Sequence, residues 1–312
     1  MSTTRDTLGQ LYTSIYDEFM LGTFAKYPMK MKEGFKEVDT KQKNYIVDDL
    51  SGLGRWEDQT ELTAGNVEDP VQGYPKTYTV GKKTKQFQVS FEAVDDDEYA
   101  LVKKQGQAEN MGKGAWDAIE YDTAQVLYKA FSTAGPDGQY GFVSTHPRNS
   151  EETGTIDSNL LSGPFSHNNL ETAEKTITDN MFDMKGIPIP ITQDPVLYYP
   201  PALRGIVTRT LSERALERPG TTQRDINQFT NRKGMFQYRP VEWVYLSAAL
   251  GGSDTAWYII FPWLGYLKFV WREKPNFVSW TDNDIDAYNF KGRTRYITGY
   301  DNWRGMFGST GL

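Results

Sequence analysis

Apolar positions along this chain keep changing their period, and each change marks an element. Thr4 to Met20 carries Leu8, Leu11, Ile15 and Phe19 at spacings of three and four, the stripe of an amphipathic helix. Tyr27 to Lys32 then has no clear period. A helix followed by an irregular arm suits a segment that lies on something else. Tyr45-Ile46-Val47 leads into Gly52-Leu53-Gly54-Arg55-Trp56, after which Glu57 to Gln72 has almost no large apolar residues. Alternation resumes with Tyr74, Tyr78 and Val80 on one parity, and continues with Phe87, Val89 and Phe91 on the other. The parity changes across Gly81-Lys82-Lys83, which predicts a β-bulge or sharp twist at Gly81. A hairpin this long has a polar tip and no core of its own, so it must rest against a neighbour.

Asp95-Asp96-Asp97-Glu98 can be read as a metal cluster. It fits better as a helix start, because carboxylates favour the positive end of the helix dipole and can cap free N–H groups. The helix that follows carries Met111, Ala115, Trp116, Ile119, Thr123, Val126, Leu127 and Ala130, and Ala134-Gly135-Pro136-Asp137-Gly138 stops it. Gly106, Gly112 and Gly114 weaken its first half. A second helix is capped by Asn168 or Asn169, buries Leu170, Ala173, Ile177 and Met181, and ends at Gly186. A third starts at Pro201, a favoured first-turn position, buries Leu203, Ile206, Val207, Thr210 and Leu211, and ends at Arg218-Pro219-Gly220. Val241 to Leu246 follows as an apolar segment. Trp257 to Trp271 reads as two buried strands around a turn, since Pro262, Gly265 and Lys268 interrupt a run already too short to span a bilayer. Asp282 to Gly308 alternates charged and aromatic residues, as one or two long strands ending in Arg304-Gly305.

Composition narrows the chemistry. The chain has 312 residues, enough for a sizeable core and one or two domains. It has no cysteine, so disulfides and thiolate catalysis are excluded, and only His146 and His167 could supply imidazole. No apolar stretch of the secretory kind follows Met1, and a soluble protein made in a cytoplasm is expected. The net charge of −7 argues against a protein that grips phosphate backbones. Aromatic residues make up 14% of the chain, a composition that suits interface cores as well as an ordinary β-rich interior. Phosphate-loop, dinucleotide, Gly-x-Ser-x-Gly and His-Glu-x-x-His motifs are all missing. A carbohydrate-active enzyme with a carboxylate pair and an aromatic cleft is the best enzymatic rival. His146, in Ser144-Thr145-His146-Pro147, fits a turn residue better than a base.

One ordered series of residues changes this picture. His146-Pro147, Ser158-Asn159-Leu160, Leu170-Glu171, Gly186-Ile187-Pro188 and Leu197-Tyr198-Tyr199-Pro200-Pro201-Ala202-Leu203 follow one another with polar loops between. Further on stands Arg293-x-Arg295-Tyr296-x-x-Gly299-Tyr300-x-x-Trp303-Arg304-Gly305. In order and spacing this resembles the major capsid proteins of tailed bacteriophages with the HK97-like fold, over about residues 40–312. The resemblance implies an α+β subunit with an N-terminal arm (1–43) and an extended hairpin, the E-loop (44–93). A peripheral domain with a long spine helix (94–167), an axial domain (168–265) and C-terminal strands returning to the peripheral domain (266–312) complete it.

The function implied is mechanical: self-assembly into an icosahedral shell around phage double-stranded DNA. An encapsulin-like compartment shell is the alternative on the same fold. Pentamers and hexamers of the chain would be expected in the virion, assembled in the host cytoplasm. No catalytic residue, cofactor or metal is implied, and no membrane. The chain lacks the long N-terminal scaffolding segment of the best-known member, so a separate scaffolding protein is expected, with a portal, and the DNA is met by non-specific contact. As intersubunit contacts the resemblance suggests Lys82, Lys83 and Lys85 on one hairpin stem, and Arg55, Glu57, Asp58 and Glu61 on the opposite arm.

Overall fold

The computed structural model of the chain describes residues 22–62, 64–65, 67–96, 106–151, 154–212, 215–217, 224–226 and 236–312. The helix expected over Thr4 to Met20 lies outside them. A helical stretch over 22–26 (α1) is followed by β1 (Lys36–Asp39), β2 (Asn44–Val47), β3 (Lys76–Thr79), β4 (Lys83–Ser90), α2 (Phe91–Asp95) and α3 (Gly106–Lys129). Next come β5 (His146–Pro147), β6 (Ile156–Asp157), β7 (Leu160–Leu161), α4 (His167–Asn180), β8 (Val196–Tyr199) and α5 (Arg204–Ser212). The remainder is β9 (Ala215–Glu217), β10 (Arg224–Ile226), β11 (Arg239–Glu242), β12 (Trp257–Ile260), β13 (Leu267–Asp282), β14 (Ala287–Tyr300) and β15 (Met306–Ser309). The architecture is α+β. Among the described residues no helix is long and apolar enough to cross a membrane.

The centre is a five-stranded sheet in the order β11-β8-β12-β15-β7. Val196-Leu197-Tyr198-Tyr199 and Trp257-Tyr258-Ile259-Ile260 are apolar without alternation because both faces of this sheet are covered. Val196, Tyr198, Tyr258, Ile260 and Met306 pack with Ile119, Ala124 and Leu127 of α3. Leu197, Tyr199, Trp257, Ile259 and Phe307 pack with Leu170, Ala173 and Ile177 of α4 and Val207 of α5. Each such side chain stabilises the fold by roughly 1.5–3 kcal/mol.

A second sheet, β1-β13-β14-β4, lies along α3. Its long hairpin, β13 with β14, shifts register between Trp271 and Asn276, beside Pro275, which has no N–H to give the ladder. The two buried strands expected over Trp257 to Trp271 are present as β12 and the start of β13. The turn between them carries the chain from one sheet to the other.

Several expectations are corrected. The parity change near Gly81 is no bulge: β3 pairs with β2, whereas β4 pairs with β14, so the chain changes sheets there. Asp95 ends the short helix α2, whose N-cap is Ser90, accepting from the N–H of Ala93 at 3.2 Å, while Asp97 and Glu98 lie outside the described residues. The long helix is described only from Gly106. Helix α4 is capped by Ser166 rather than by Asn168 or Asn169, and stops at Asn180. There Asp183 Oδ1 accepts from Lys185 and Ile187 N–H and turns the chain ahead of Gly186. Helix α5 ends at Ser212 and the paired strands β9 and β10 follow, while Arg218-Pro219-Gly220, the expected stop of the helix, lies outside the described residues. After Glu242 the apolar segment leaves the sheet for a 3-10 turn at Val244–Leu246. The segment expected as an arm over a neighbour packs on its own subunit from Phe24 onward, with Met31 and Phe35 buried in the core.

Candidate functional site

Three regions carry side chains that the two cores do not explain. The first is the loop between β2 and β3. Its base is held: Ser51 and Val71 exchange two hydrogen bonds, at 2.9 and 2.7 Å, and Gly73 N–H donates to Asp49 O at 2.7 Å. Lys185, just after α4, reaches Glu68 at 2.8 Å and holds its carboxyl below the ordinary range. The loop bares Leu50 at this base and Leu53, Trp56, Leu62 and Val67 beyond it, with Trp56 96% exposed. Arg55, Glu57, Asp58 and Glu61 stand among them, all exposed. Five large apolar side chains left to water on one supported loop make it a candidate contact surface. The sequence drew attention to the acids and passed over Trp56, Leu62 and Val67, although their isolation in a polar run was visible.

The second region is a groove of about 780 Å³ between α3 and the paired strands β4 and β14. Phe87, Met111, Ala115 and Phe277 form its apolar floor. Lys82, Lys83 and Lys85 stand on its rim with Arg293. Lys83 and Lys85 share the parity of Phe87, which turns them toward α3. Lys83 pairs with Asp122 of α3, which also accepts from the Tyr296 hydroxyl at 2.8 Å, and Arg293 is held by Glu273 at 2.6 Å. The three lysines are therefore not opposite Arg55, Glu57, Asp58 and Glu61 on one hairpin. The carboxylates lie on the loop that joins β2 and β3, whereas Lys83 and Lys85 lie on β4 of another sheet, and within one subunit the structure does not bring them together.

The third region gathers the motif residues into one buried polar knot. His146 is fully buried, with Nδ1 2.5 Å from Asp137 Oδ2, Nε2 3.1 Å from Asn159 Oδ1, and its ring stacked on Trp303 at 4.6 Å. Asn159 accepts from Val143 N–H at 2.9 Å and donates to Gly141 O at 2.6 Å and Met306 O at 3.2 Å. Arg304 donates to Phe182 O and Arg148 O, each at 2.6 Å, and burial lowers its hold on its proton. Nothing here is arranged as a nucleophile with a base. The knot ties the 137–159 segment, the turn after α4 and the C-terminal strands together.

The profile of a family described as phage capsid protein matches residues 73–308. No curated protein sequence matches. Among solved structures, the mature capsid of bacteriophage PhiM1 is similar at 13% identity, covering 91% of this chain and 87% of that one, with a TM-score of 0.58. The capsid of cyanophage Pam1 is similar at 11% identity over 92% and 91% of the two chains, TM-score 0.54. The virus-like particle from Pyrococcus furiosus is similar at 12% identity over 96% and 99%, TM-score 0.53. At such identities these likenesses bear on the fold alone.

Proposed function

Given that the chain belongs to the phage capsid protein family, a major capsid protein of HK97-like fold that forms the phage shell, we propose that its copies join through the β2–β3 loop and the lysine-rimmed groove. The protein is structural, not an enzyme, and its place is the capsid of the virion. The exposure of Trp56 on a loop rich in carboxylates carries the reading of the contact. Trp56, Leu53, Leu62 and Val67 would cover the apolar floor of a neighbour's groove. Glu57, Asp58 and Glu61 would meet its Lys82 and Lys85. A buried tryptophan anchor of this kind contributes ~2 kcal/mol or more per contact, and the charges mainly set register.

The finer partners follow from the same reading. Pentamers and hexamers would need a separate scaffolding protein and a portal, and assembly would take place in the host cytoplasm. Double-stranded DNA would be enclosed without specific grip, as suits a net charge of −7. The test is charge reversal in two halves: Glu57, Asp58 and Glu61 to Lys, and Lys82→Glu with Lys85→Glu. Each half alone should lower the yield of closed shells seen by sedimentation and electron microscopy, most at low salt. Combining both should restore much of it. Normal shells from either half alone, or no recovery on combination, would refute the pairing.

A further inference from the structure

Glu120 is a carboxyl group with no part in the surfaces or the knot described above. It lies midway along α3 between Ile119 and the buried Thr123 and Ala124, and is itself fully buried. Oε1 accepts from the backbone N–H of Met31 at 3.3 Å. Oε2 makes no hydrogen bond of good geometry, nor does the nearby buried indole N–H of Trp243. An acid on the core side of the longest described helix is costly unless it does something there.

What it touches is the underside of a strap, residues 29–39. Met31 is fully buried in the 3-10 turn Lys30–Glu33, and Phe35 is nearly so. The Tyr198 hydroxyl donates to Lys30 O at 2.8 Å. Gly34 seats so closely on the Tyr198 ring that a Cβ there would lie 2.6 Å from Cε2. Trp116 of α3 donates to Pro28 O at 3.3 Å, at the start of the strap. Beyond the seat β1 continues as an edge strand, parallel to β13. The strap is thus held by apolar shape, a few hydrogen bonds and one carboxyl beneath it.

Burial pushes the Glu120 carboxyl up from its ordinary 4.5 to about 7, only partly offset by the Met31 N–H, the Trp243 indole and Lys30. Of the other charged and titratable groups at the seat, Lys30 favours the carboxylate, and Lys32 pairs with Glu37 at 3.5 Å, which also accepts from the Trp271 indole at 2.9 Å. Glu33 on the strap pairs with Arg239 of β11 at 3.2 Å. Tyr198 of β8 is held protonated by burial. Tyr245 donates to Asp117, one turn earlier on α3. Glu120 is therefore the group in this seat that changes charge near neutral pH.

We propose that Glu120 is a proton-operated latch: the strap is seated over the neutral acid and loosened when the carboxylate forms. A seated strap binds the proton more tightly than a released one. The stabilisation is therefore complete below pH ~4.5 and is lost as pH rises to about 7. Ionisation loosens residues 29–39 in their seat, opening the edge of the core that Met31 and Phe35 fill while the sheet around β12 stays paired.

Hydrogen exchange with mass spectrometry on full-length, unassembled subunits tests this. After correction for intrinsic exchange, peptides spanning 29–39 should lose about tenfold in protection between pH 6 and pH 8.5, the remaining part of a change that ends near pH 7. Peptides spanning β12 should not change. Glu120→Gln keeps the acceptor for Met31 but carries no charge, and should flatten the pH profile of the strap. A flat profile in the unmodified protein would overturn the latch, and so would an equal slope in the Gln variant. If that variant fails to fold, the unmodified profile decides alone: a loss of protection confined to the strap and complete near pH 7 supports the latch, and any other profile overturns it.

Discussion

Replacing Asn159 with alanine should be among the most damaging single changes in this subunit. The side chain is fully buried and makes four hydrogen bonds: from Val143 N–H at 2.9 Å, with His146 Nε2 at 3.1 Å, and to the carbonyls of Gly141 and Met306 at 2.6 and 3.2 Å. Alanine leaves all four partners facing a hole. A buried polar group stripped of its partner costs about 1–3 kcal/mol, and a water entering the vacated space can satisfy some of the four. A loss of ~3–5 kcal/mol results. In a chain of this size about 2–4 °C is lost per kcal/mol, so the melting midpoint of unassembled subunits should fall by roughly 10 °C.

Asn159→Asp should be no better. It keeps the acceptor but sets a carboxylate oxygen against two carbonyls. Asn169→Ala is the control: the residue is partly exposed, its side chain donates only to Pro164 O, at 2.7 Å, and its loss should move the midpoint by ~2 °C or less. Circular dichroism melts of the three variants side by side suffice. If Asn159→Ala melts within 2 °C of the unmodified subunit, a loss of ~1 kcal/mol or less, the four bonds do not supply the stability assigned to them.

Other expectations are independent of the knot. Limited proteolysis of unassembled subunits should cut first between residues 55 and 70, and assembly should protect that stretch, as an exposed loop buried by neighbours requires; equal cutting in both states would count against the loop as a contact. Gly252→Ala would place a Cβ 2.1 Å from the carbonyl oxygen of Leu246, which is backbone and cannot yield, so more than ~2 kcal/mol should be lost in a denaturant titration. Gly65→Ala meets open space and should leave the same titration unchanged. Lys83→Met removes the pair with Asp122, but the lysine side chain is 46% exposed, so its effect on subunit melting should stay within ~1 kcal/mol and shrink with salt.

Local period made α3, the apolar faces of α4 and α5, and β12 legible, because each is written in residues three or four apart or in a continuous apolar run. Partnership was not legible in the same way. Phe87, Val89 and Phe91 alternate as they would in any half-buried strand, and nothing near them says that β4 pairs with β14 rather than with β2 or β3. Pro219-Gly220 reads in the sequence as a helix stop, but the paired strands β9 and β10 on either side of it come from residues that carry no such signal. The knot is the sharpest case. His146 reads as a turn residue because its partners stand 9 and 13 positions away at Asp137 and Asn159, and Trp303 is further still. Chemistry assembled by tertiary contact leaves only isolated letters in the sequence. Of the two proposed contact surfaces, the sequence offers the lysines and carboxylates as candidates but not Trp56, since exposure is a property of the fold.

The position of β15 has a consequence for how the subunit is made. It lies between β12 and β7 in the five-stranded sheet, yet it follows both of them in the chain. A ribosome delivers residues in order, so every other strand of that sheet emerges before the one that belongs inside it. Until residues 306–309 appear, β12 and β7 each keep an open edge, and neither Met306 nor Phe307 fills its place against the helices on the two faces. A nascent chain can thus hold nearly all of its surface features while lacking the piece that makes them rigid. An unpaired edge is a template for another chain's strand, so copies growing side by side on one message are most open to pairing wrongly just before residues 306–309 close the sheet.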